Sequence, residues 1–305
     1  MPPSDDTLRI ATWNLFHLQD EGGGPIGFGT VVRRRHRERD GLVHLNRKHL
    51  DPAADVLRRI GADLVLLQEV PPRAVPRLGR RLGMHAAWAA RTGPFVGPAW
   101  LRDAVGDWNP DLVRTHEGNA NAVLVGPRLV RVPGSVRRLR LNPWRQVLGA
   151  WRAHGTDLRW REMLRWLGEP RVAVAGQVRR PGGPPVTVVS LHLHNARGET
   201  ERAHEVGRLI EALRNVPGPL IVGGDFNLMP SSPHMARLAE LGLVDEHGDR
   251  RMNIDRVFTR GVEVVEPARR LEPSVREFAW TGRRGHGRVR VSDHDPVVVT
   301  VRLPA

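Results

Sequence analysis

Ile221-Val222-Gly223-Gly224-Asp225-Phe226-Asn227, residues 221–227, is a short apolar run that stops on two glycines, a carboxylate and an amide. It is too short for a helix and reads as a buried strand, so its polar end falls at a sheet rim, where a rigid scaffold presents side chains to a cleft. The same pattern recurs along the chain. Asn14 follows Leu8 to Trp13, Glu69 follows Leu64 to Gln68, and His192 and His194 follow Val188 to Leu191. Asp255 lies in Asn253 to Val257, and Asp293-His294 precedes the apolar run Val297 to Val301.

Helical periodicity separates these runs. Pro52 to Ile60 spaces Ala53, Val56, Leu57 and Ile60 on one face and ends at Gly61, a helix stop. Glu199 to Leu213 does the same with Ala203, Val206, Leu209, Ile210 and Leu213. Strands are predicted at Leu8–Asn14, Ala62–Gln68, Val172–Val178, Val186–His192, Leu220–Val222, Asp255–Thr259, Val262–Val265 and Val297–Val301, with Arg180 to Pro185 as a turn between two of them. Strands along the whole length with helices between them predict a single α/β domain with buried sheets.

The composition narrows the chemistry. The chain has 305 residues, 40% of them hydrophobic, enough for a core. It has no Cys, which excludes disulfides, a thiol nucleophile and Cys-ligated metal, so any metal is held by oxygen or imidazole. No apolar run reaches membrane-spanning length, and Met1 to Asp6 has neither the basic nor the apolar region of a secretory signal. A soluble, cytoplasmic protein is the expectation.

The formal net charge is +14, which points to a polyanionic partner. Lys48 is the sole lysine and Tyr is absent, a bias typical of GC-rich coding, so where the charge sits matters more than its sum. Arg131 to Arg171 holds ten Arg against Asp157, Glu162 and Glu169, half the net charge. Within it, Asn142 to Leu167 repeats Trp144, Val147, Leu148 and Trp151, then Trp160, Met163, Leu164 and Leu167, at helical spacing. The segment 131–171 therefore reads as a basic, Trp-rich helical insertion. It is either a hairpin docked on the sheet, or a face for nucleic acid or for an anionic membrane surface. Glu21 to Arg39 reads as a surface loop, and so does Arg276 to Arg290, whose five Arg face only Glu277.

Carboxylates and amides dominate the rim residues, a hard-oxygen set that suits Mg²⁺ or Mn²⁺. Thr12-Trp13-Asn14, Leu67-Gln68-Glu69, Gly118 to Leu124, Leu191-His192-Leu193, Gly224 to Asn227, Ile254 to Val257 and Ser292 to Pro296 occur in this order. Through these strings the sequence resembles the endonuclease/exonuclease/phosphatase superfamily, also called DNase I-like. The resemblance spans residues 12–296 and implies a four-layer α/β fold, a two-sheet sandwich with helices outside. It also implies Mg²⁺- or Mn²⁺-dependent hydrolysis of phosphoesters.

Carried over position by position, the resemblance implies Glu69 as the main metal carboxylate, with Asn14 and Asp293 in the same metal site. Asp225 would position or deprotonate the attacking water, and Asn227 would orient the phosphate. His294 would contact the scissile phosphate with Asp255 holding its ring, and His192 would donate to a phosphate oxygen or act as general acid. Asn121 is a candidate substrate contact, with a turn role as its alternative; His194 lies outside the motif and reads as a supporting or solvated residue. The abasic-site endonucleases of the family use a Tyr at the phosphate, where this chain has His192. The expectation is a nuclease acting on nucleic acid or another phosphorylated polyanion. A phosphatase or sphingomyelinase-type phospholipase is the first alternative, and a non-catalytic nucleic-acid-binding relative the second.

Overall fold

The computed structural model describes residues 6–21, 37–39, 41–91, 98, 100–101, 104–105, 119–153, 160, 163–164, 166, 170–195, 199–247, 254–282 and 285–304. Among the described residues, strand Leu8–Asn14 lies inside a six-stranded sheet. It pairs antiparallel with Val297–Arg302 and parallel with Leu64–Val70. Glu263–Arg270 closes one side of that sheet, and Asn119–Val125 then His85–Arg91 close the other.

A seven-stranded sheet runs Val244–Asp245, Asp255–Arg260, Leu220–Asp225, Val186–His192 and Val172–Arg179, and the last also pairs with Val130–Arg131 and Arg137–Arg140. Val186–His192 and Leu220–Asp225 are parallel and in register, with His192 beside Asp225.

The period of two explains the layering. Along Leu8–Asn14, Leu8 and Ile10 face the other sheet, while Ala11 and Trp13 face helices Leu50–Ile60 and Ala74–Leu82. Along Val186–His192, Val186 and Val188 face inward, while Val189 and Leu191 meet Val206, Leu209, Ile210 and Leu213 of helix Glu199–Leu213. Both sheets are thus covered on the outside by helix and share one apolar seam. This is the four-layer sandwich that the motifs implied. Each inward face changes character toward one end: Leu8, Ile10, Thr12, Asn14; Leu64, Leu66, Gln68; Val186, Val188, Ser190, His192; Ile221, Gly223, Asp225.

Two glycines make the close approach possible. A Cβ on Gly223 would come within 2.6 Å of Leu66 Cδ1 in the facing sheet. One on Gly224, at φ +153, would come within 2.0 Å of the Leu191 carbonyl oxygen on the neighbouring strand.

The structure differs from the sequence expectations in several places. Arg276 to Arg290 is not a loop: Glu277–Gly282 and Gly285–Arg290 form an antiparallel hairpin that joins Leu42–His44 and Arg37–Arg39 in a four-stranded sheet. Among its described arginines, Arg288 and Arg290 pair with Glu277 on the opposite strand, while Phe278 and Trp280 pack on Val43 and Val289. Arg37–Arg39 is strand rather than loop; positions 22–36 lie outside the described residues.

The segment 131–171 is not helical throughout: Arg131 and Arg137–Arg140 pair as strand with Val172–Arg179, helix Trp144–Ala153 is present, and most of positions 154–169 lie outside the described residues. Trp166 is fully buried, whereas Trp144 and Trp160 are exposed. Helix Ala74–Leu82 and strands His85–Arg91 and Asn119–Val125 are elements that periodicity does not predict. Pro76 sits in the helix's first turn, where its missing N–H costs nothing, and Gly83 at φ +65 ends it. No helix among the described residues is long and apolar enough to cross a membrane.

Candidate active site

The site lies where the seam turns polar. Asp225, at the end of its strand, is 1% exposed. Asn14 Nδ2 donates to Asp225 Oδ2 at 3.0 Å from the opposite sheet, and the Asn227 backbone N–H donates to Oδ1 at 2.9 Å. The second bond closes a turn that holds Asn227 at φ +49, and the Asn227 side-chain amide donates to Leu193 O at 2.9 Å. Burial and the nearby Asp255 carboxylate push the Asp225 carboxyl up to about 7, against the pull of His294 and of these two N–H donors.

His294 faces Asp225 from the loop before strand Val297–Arg302. Its Nδ1 is 2.7 Å from Asp255 Oδ2, its Nε2 is 3.8 Å from Asp225 Oδ2, and Asp293 Oδ1 lies 3.9 Å from the same nitrogen. Burial disfavours the charged ring, but Asp255, Asp225 and Asp293 outweigh it and raise the imidazole to about 10. The backbone around it is pinned. Ser292, at φ +64, donates its hydroxyl to Asn14 O at 2.7 Å and accepts the His294 N–H at 3.1 Å, and Trp13 Nε1 donates to His294 O at 2.8 Å.

Glu69 reaches the site by an irregularity. Alternation from Leu66 and Gln68 would send Glu69 outward, but it sits at φ +50 where the pairing between Leu64–Val70 and Asn119–Val125 shifts register. The bulge turns its carboxylate to within 3.6 Å of His192 Nε2 and 3.4 Å of His17 Nε2. His192 Nε2 is equally 3.6 Å from Asp225 Oδ2, so it stands between the two carboxylates.

The structure therefore brings together Asn14, Glu69, His192, Asp225, Asn227, Asp255 and His294. Asp293 is at the margin, its side chain 44% exposed. Asn121 points into the seam and donates to Val172 O at 2.6 Å, which ties the two sheets together beside the cleft.

Sequence reasoning missed four residues here. His17, also in left-handed backbone at φ +56, follows the Asn14 motif with no pattern to mark it. Gln68 is fully buried and its Nε2 donates to Ser190 Oγ at 3.0 Å, a polar bolt between the sheets; its place in the Leu67-Gln68-Glu69 string was the available signal. Arg171, one arginine among many, is buried behind His192, with Nη1 3.3 Å from His192 Nδ1 and Nη2 3.0 Å from His194 Nδ1. Glu205, inside a helix read only for its apolar face, accepts the His194 backbone N–H at 2.8 Å.

Among the described residues, ligand atoms of Asp225, Asp255 and His294 lie within 4.8 Å of one another, a grouping able to hold a metal ion.

Residues 11–294 match the family model described as the Endonuclease/Exonuclease/phosphatase family, a span that contains every position just placed in the cleft. The chain belongs to the endonuclease/exonuclease/phosphatase family. Members of this family are generally hydrolases of phosphoesters. A solved family structure from Bacteroides thetaiotaomicron superposes with a TM-score of 0.60 at 14% identity, over 98% of each chain. Danio rerio TDP2 complexed with a single-strand DNA product superposes with a TM-score of 0.51 at 14% identity, over 97% of this chain and 98% of that one. At such identities these likenesses concern the DNase I-like fold. A UPF0294 protein of Vibrio cholerae is 30% identical over 151 residues, 45% of this chain and 47% of its own length. The chain thus spans about half the length of the curated relatives it matches.

Proposed function

We propose that this family member is a divalent-metal-dependent phosphodiester hydrolase that acts on nucleic acid. The observation that carries the reading is the position of Asp225. A buried carboxyl raised to about 7 lies 3.6 Å from one imidazole and 3.8 Å from another, at the mouth of the seam. That is the arrangement of a general base between two groups that handle phosphate charge.

Mg²⁺ or Mn²⁺ fits the site, because Glu69, Asp225 and Asp255 crowd negative charge into a buried space and their donor atoms are hard oxygens. Glu69, Asn14 and Asp293 are the residues that would hold it, since His294 and Asp255 are already joined at 2.7 Å. When bound, the ion supplies Lewis-acid polarisation of a phosphoryl oxygen.

The remaining steps belong to the chain's own side chains. Asp225 accepts the proton of the attacking water. His294, held cationic by Asp255, donates from Nε2 to a non-bridging phosphate oxygen, and Asn227 sets the phosphate's orientation. His192 donates from Nε2 to the phosphate or to the departing oxygen.

Nucleic acid is favoured as substrate by the +14 charge and by Arg137, Arg138 and Arg140, all exposed on the edge strand Arg137–Arg140. Arg140 sits opposite Val172, at the cleft end of that strand. The complex of TDP2 with a DNA product agrees with this choice. The exposed Trp144 and Trp160 favour a second reading, hydrolysis of a phosphoester at a lipid surface.

A panel of plasmid DNA, single-stranded DNA, RNA, sphingomyelin vesicles and inositol phosphates, each with Mg²⁺, Mn²⁺ or EDTA at two salt concentrations, separates the readings. Metal-dependent cutting of nucleic acid that weakens with salt supports the proposal, and turnover of lipid or phosphomonoester alone overturns it.

A further inference from the structure

Behind His192, away from the Glu69 and Asp225 carboxylates, lies a buried cation that the proposed hydrolysis does not use. Arg171 is 5% exposed and immediately precedes strand Val172–Arg179, which pairs antiparallel with the strand that ends in His192. Its backbone is fixed on both sides: its N–H donates to Asn142 Oδ1 at 2.6 Å and its carbonyl accepts the Leu141 N–H at 2.8 Å. The guanidinium forks, with Nη1 3.3 Å from His192 Nδ1 and Nη2 3.0 Å from His194 Nδ1.

A guanidinium has only donors. A ring nitrogen that faces it at hydrogen-bond distance therefore presents a lone pair, and the ring proton sits on the other nitrogen. In His192 that other nitrogen is Nε2, the atom 3.6 Å from both Glu69 Oε1 and Asp225 Oδ2. A ring flip would place a carbon against Arg171 and lose the bond, so the contact fixes orientation as well as tautomer.

The fork is anchored in turn. Glu205, buried in helix Glu199–Leu213, accepts from Trp166 Nε1 at 2.8 Å and from the His194 backbone N–H at 2.8 Å. Asn142 Nδ2 donates to Trp166 O at 2.9 Å. The base of the Trp-rich segment is thereby bolted to the back of His192.

We infer that Arg171 is a positioning residue that fixes His192 as the Nε2–H tautomer with that N–H directed into the cleft. The kinetic part of this inference rests on the proposed hydrolysis; the tautomer does not. The test uses the ¹⁵N-labelled full-length chain and long-range ¹H–¹⁵N spectra of its imidazoles, with His192→Gln identifying the His192 signals by their loss. In the wild type, His192 Nδ1 is expected to resonate as an unprotonated nitrogen and Nε2 as a protonated one. Arg171→Met is expected to collapse that pattern toward a tautomer mixture and to lower kcat on the order of 10²-fold, with KM little changed. Arg171→Lys, which keeps a cationic donor without the planar fork, is expected to recover part of both signals.

Should the Met variant fail to fold, the wild-type and Lys spectra decide the matter. A wild-type His192 protonated at Nδ1, or an Arg171→Met variant with an unchanged His192 pattern, overturns the inference. If no panel substrate is cut while the Nε2–H pattern holds in the wild type and is lost in Arg171→Met, the hydrolase reading falls and the role of Arg171 stands.

Discussion

In the proposed hydrolysis Asp225 carries the heaviest chemical load, and the consequences of altering it are specific. Asp225→Asn keeps the shape and removes the base, so kcat is expected to fall roughly 10²–10⁴-fold while nucleic-acid binding, read by fluorescence anisotropy, persists. The pH profile follows from two opposite requirements. In the proposed hydrolysis Asp225 works deprotonated, so activity is expected to rise as pH passes about 7; His294 works protonated, so activity is expected to fall as pH passes about 10. A bell with those limbs is expected in kcat/KM. Asp255→Asn withdraws the negative charge that holds the imidazolium, so the alkaline limb should move down in pH. An alkaline limb that stays in place would reject the His294 assignment. Asn14, His192, Asp225 and Asp255 were legible in the sequence because each sits at the polar end of an apolar run. His17 and Arg171 were not, because their partners Glu69 and His192 are remote in sequence and nothing local to either residue marks them.

The strand ends that hold these groups depend on local backbone features that alternation alone cannot disclose. Glu69 was legible only through its motif, since a period of two points it away from the cleft and the bulge reverses it. Gly224 is similar: its sequence neighbours suggest a turn, whereas its function is to let two parallel strands close. Gly224→Ala places a methyl group against the Leu191 carbonyl and is expected to destabilise the fold by about 3 kcal/mol or more in urea unfolding, with activity lost in parallel. The hairpin Glu277–Arg290 eluded sequence reading because its Arg-rich strands look solvated until the cross-strand Glu277 pairs are seen.

Asp20 supports the adjoining loop. Its fully buried carboxylate accepts the Asn46 and Arg47 N–H groups at 3.3 Å each and lies 2.7 Å from His44 and 3.1 Å from His49. Burial opposes its charge, but the two histidines hold the carboxyl well below the usual range. With the folded value depressed, its stabilisation is present above the unfolded carboxylate pKa and is lost as pH falls through the folded one. Asp20→Ala is expected to cost about 3–5 kcal/mol at neutral pH in the same assay, and less in acid.

Across the whole molecule, the proposed reading makes charge govern the encounter with nucleic acid. The slope of log affinity for DNA against log salt is expected to be strongly negative, flattening by about 0.9 for each phosphate contact removed. Arg137→Glu, Arg138→Glu and Arg140→Glu together should flatten it and weaken binding across all sequences alike. An unchanged slope would move the nucleic-acid path elsewhere on the surface.

The division of the cleft between two sheets reaches further than electrostatics. Asn14 and Glu69 ride on one sheet, His192, Asp225 and Asp255 on the other, and the apolar seam with its Gln68–Ser190 bolt sets how far apart they stand. The interior is then the bearing of a pair of jaws: thinning Val188 or Leu66 by a few methyl groups, far from any phosphate, would change the bite.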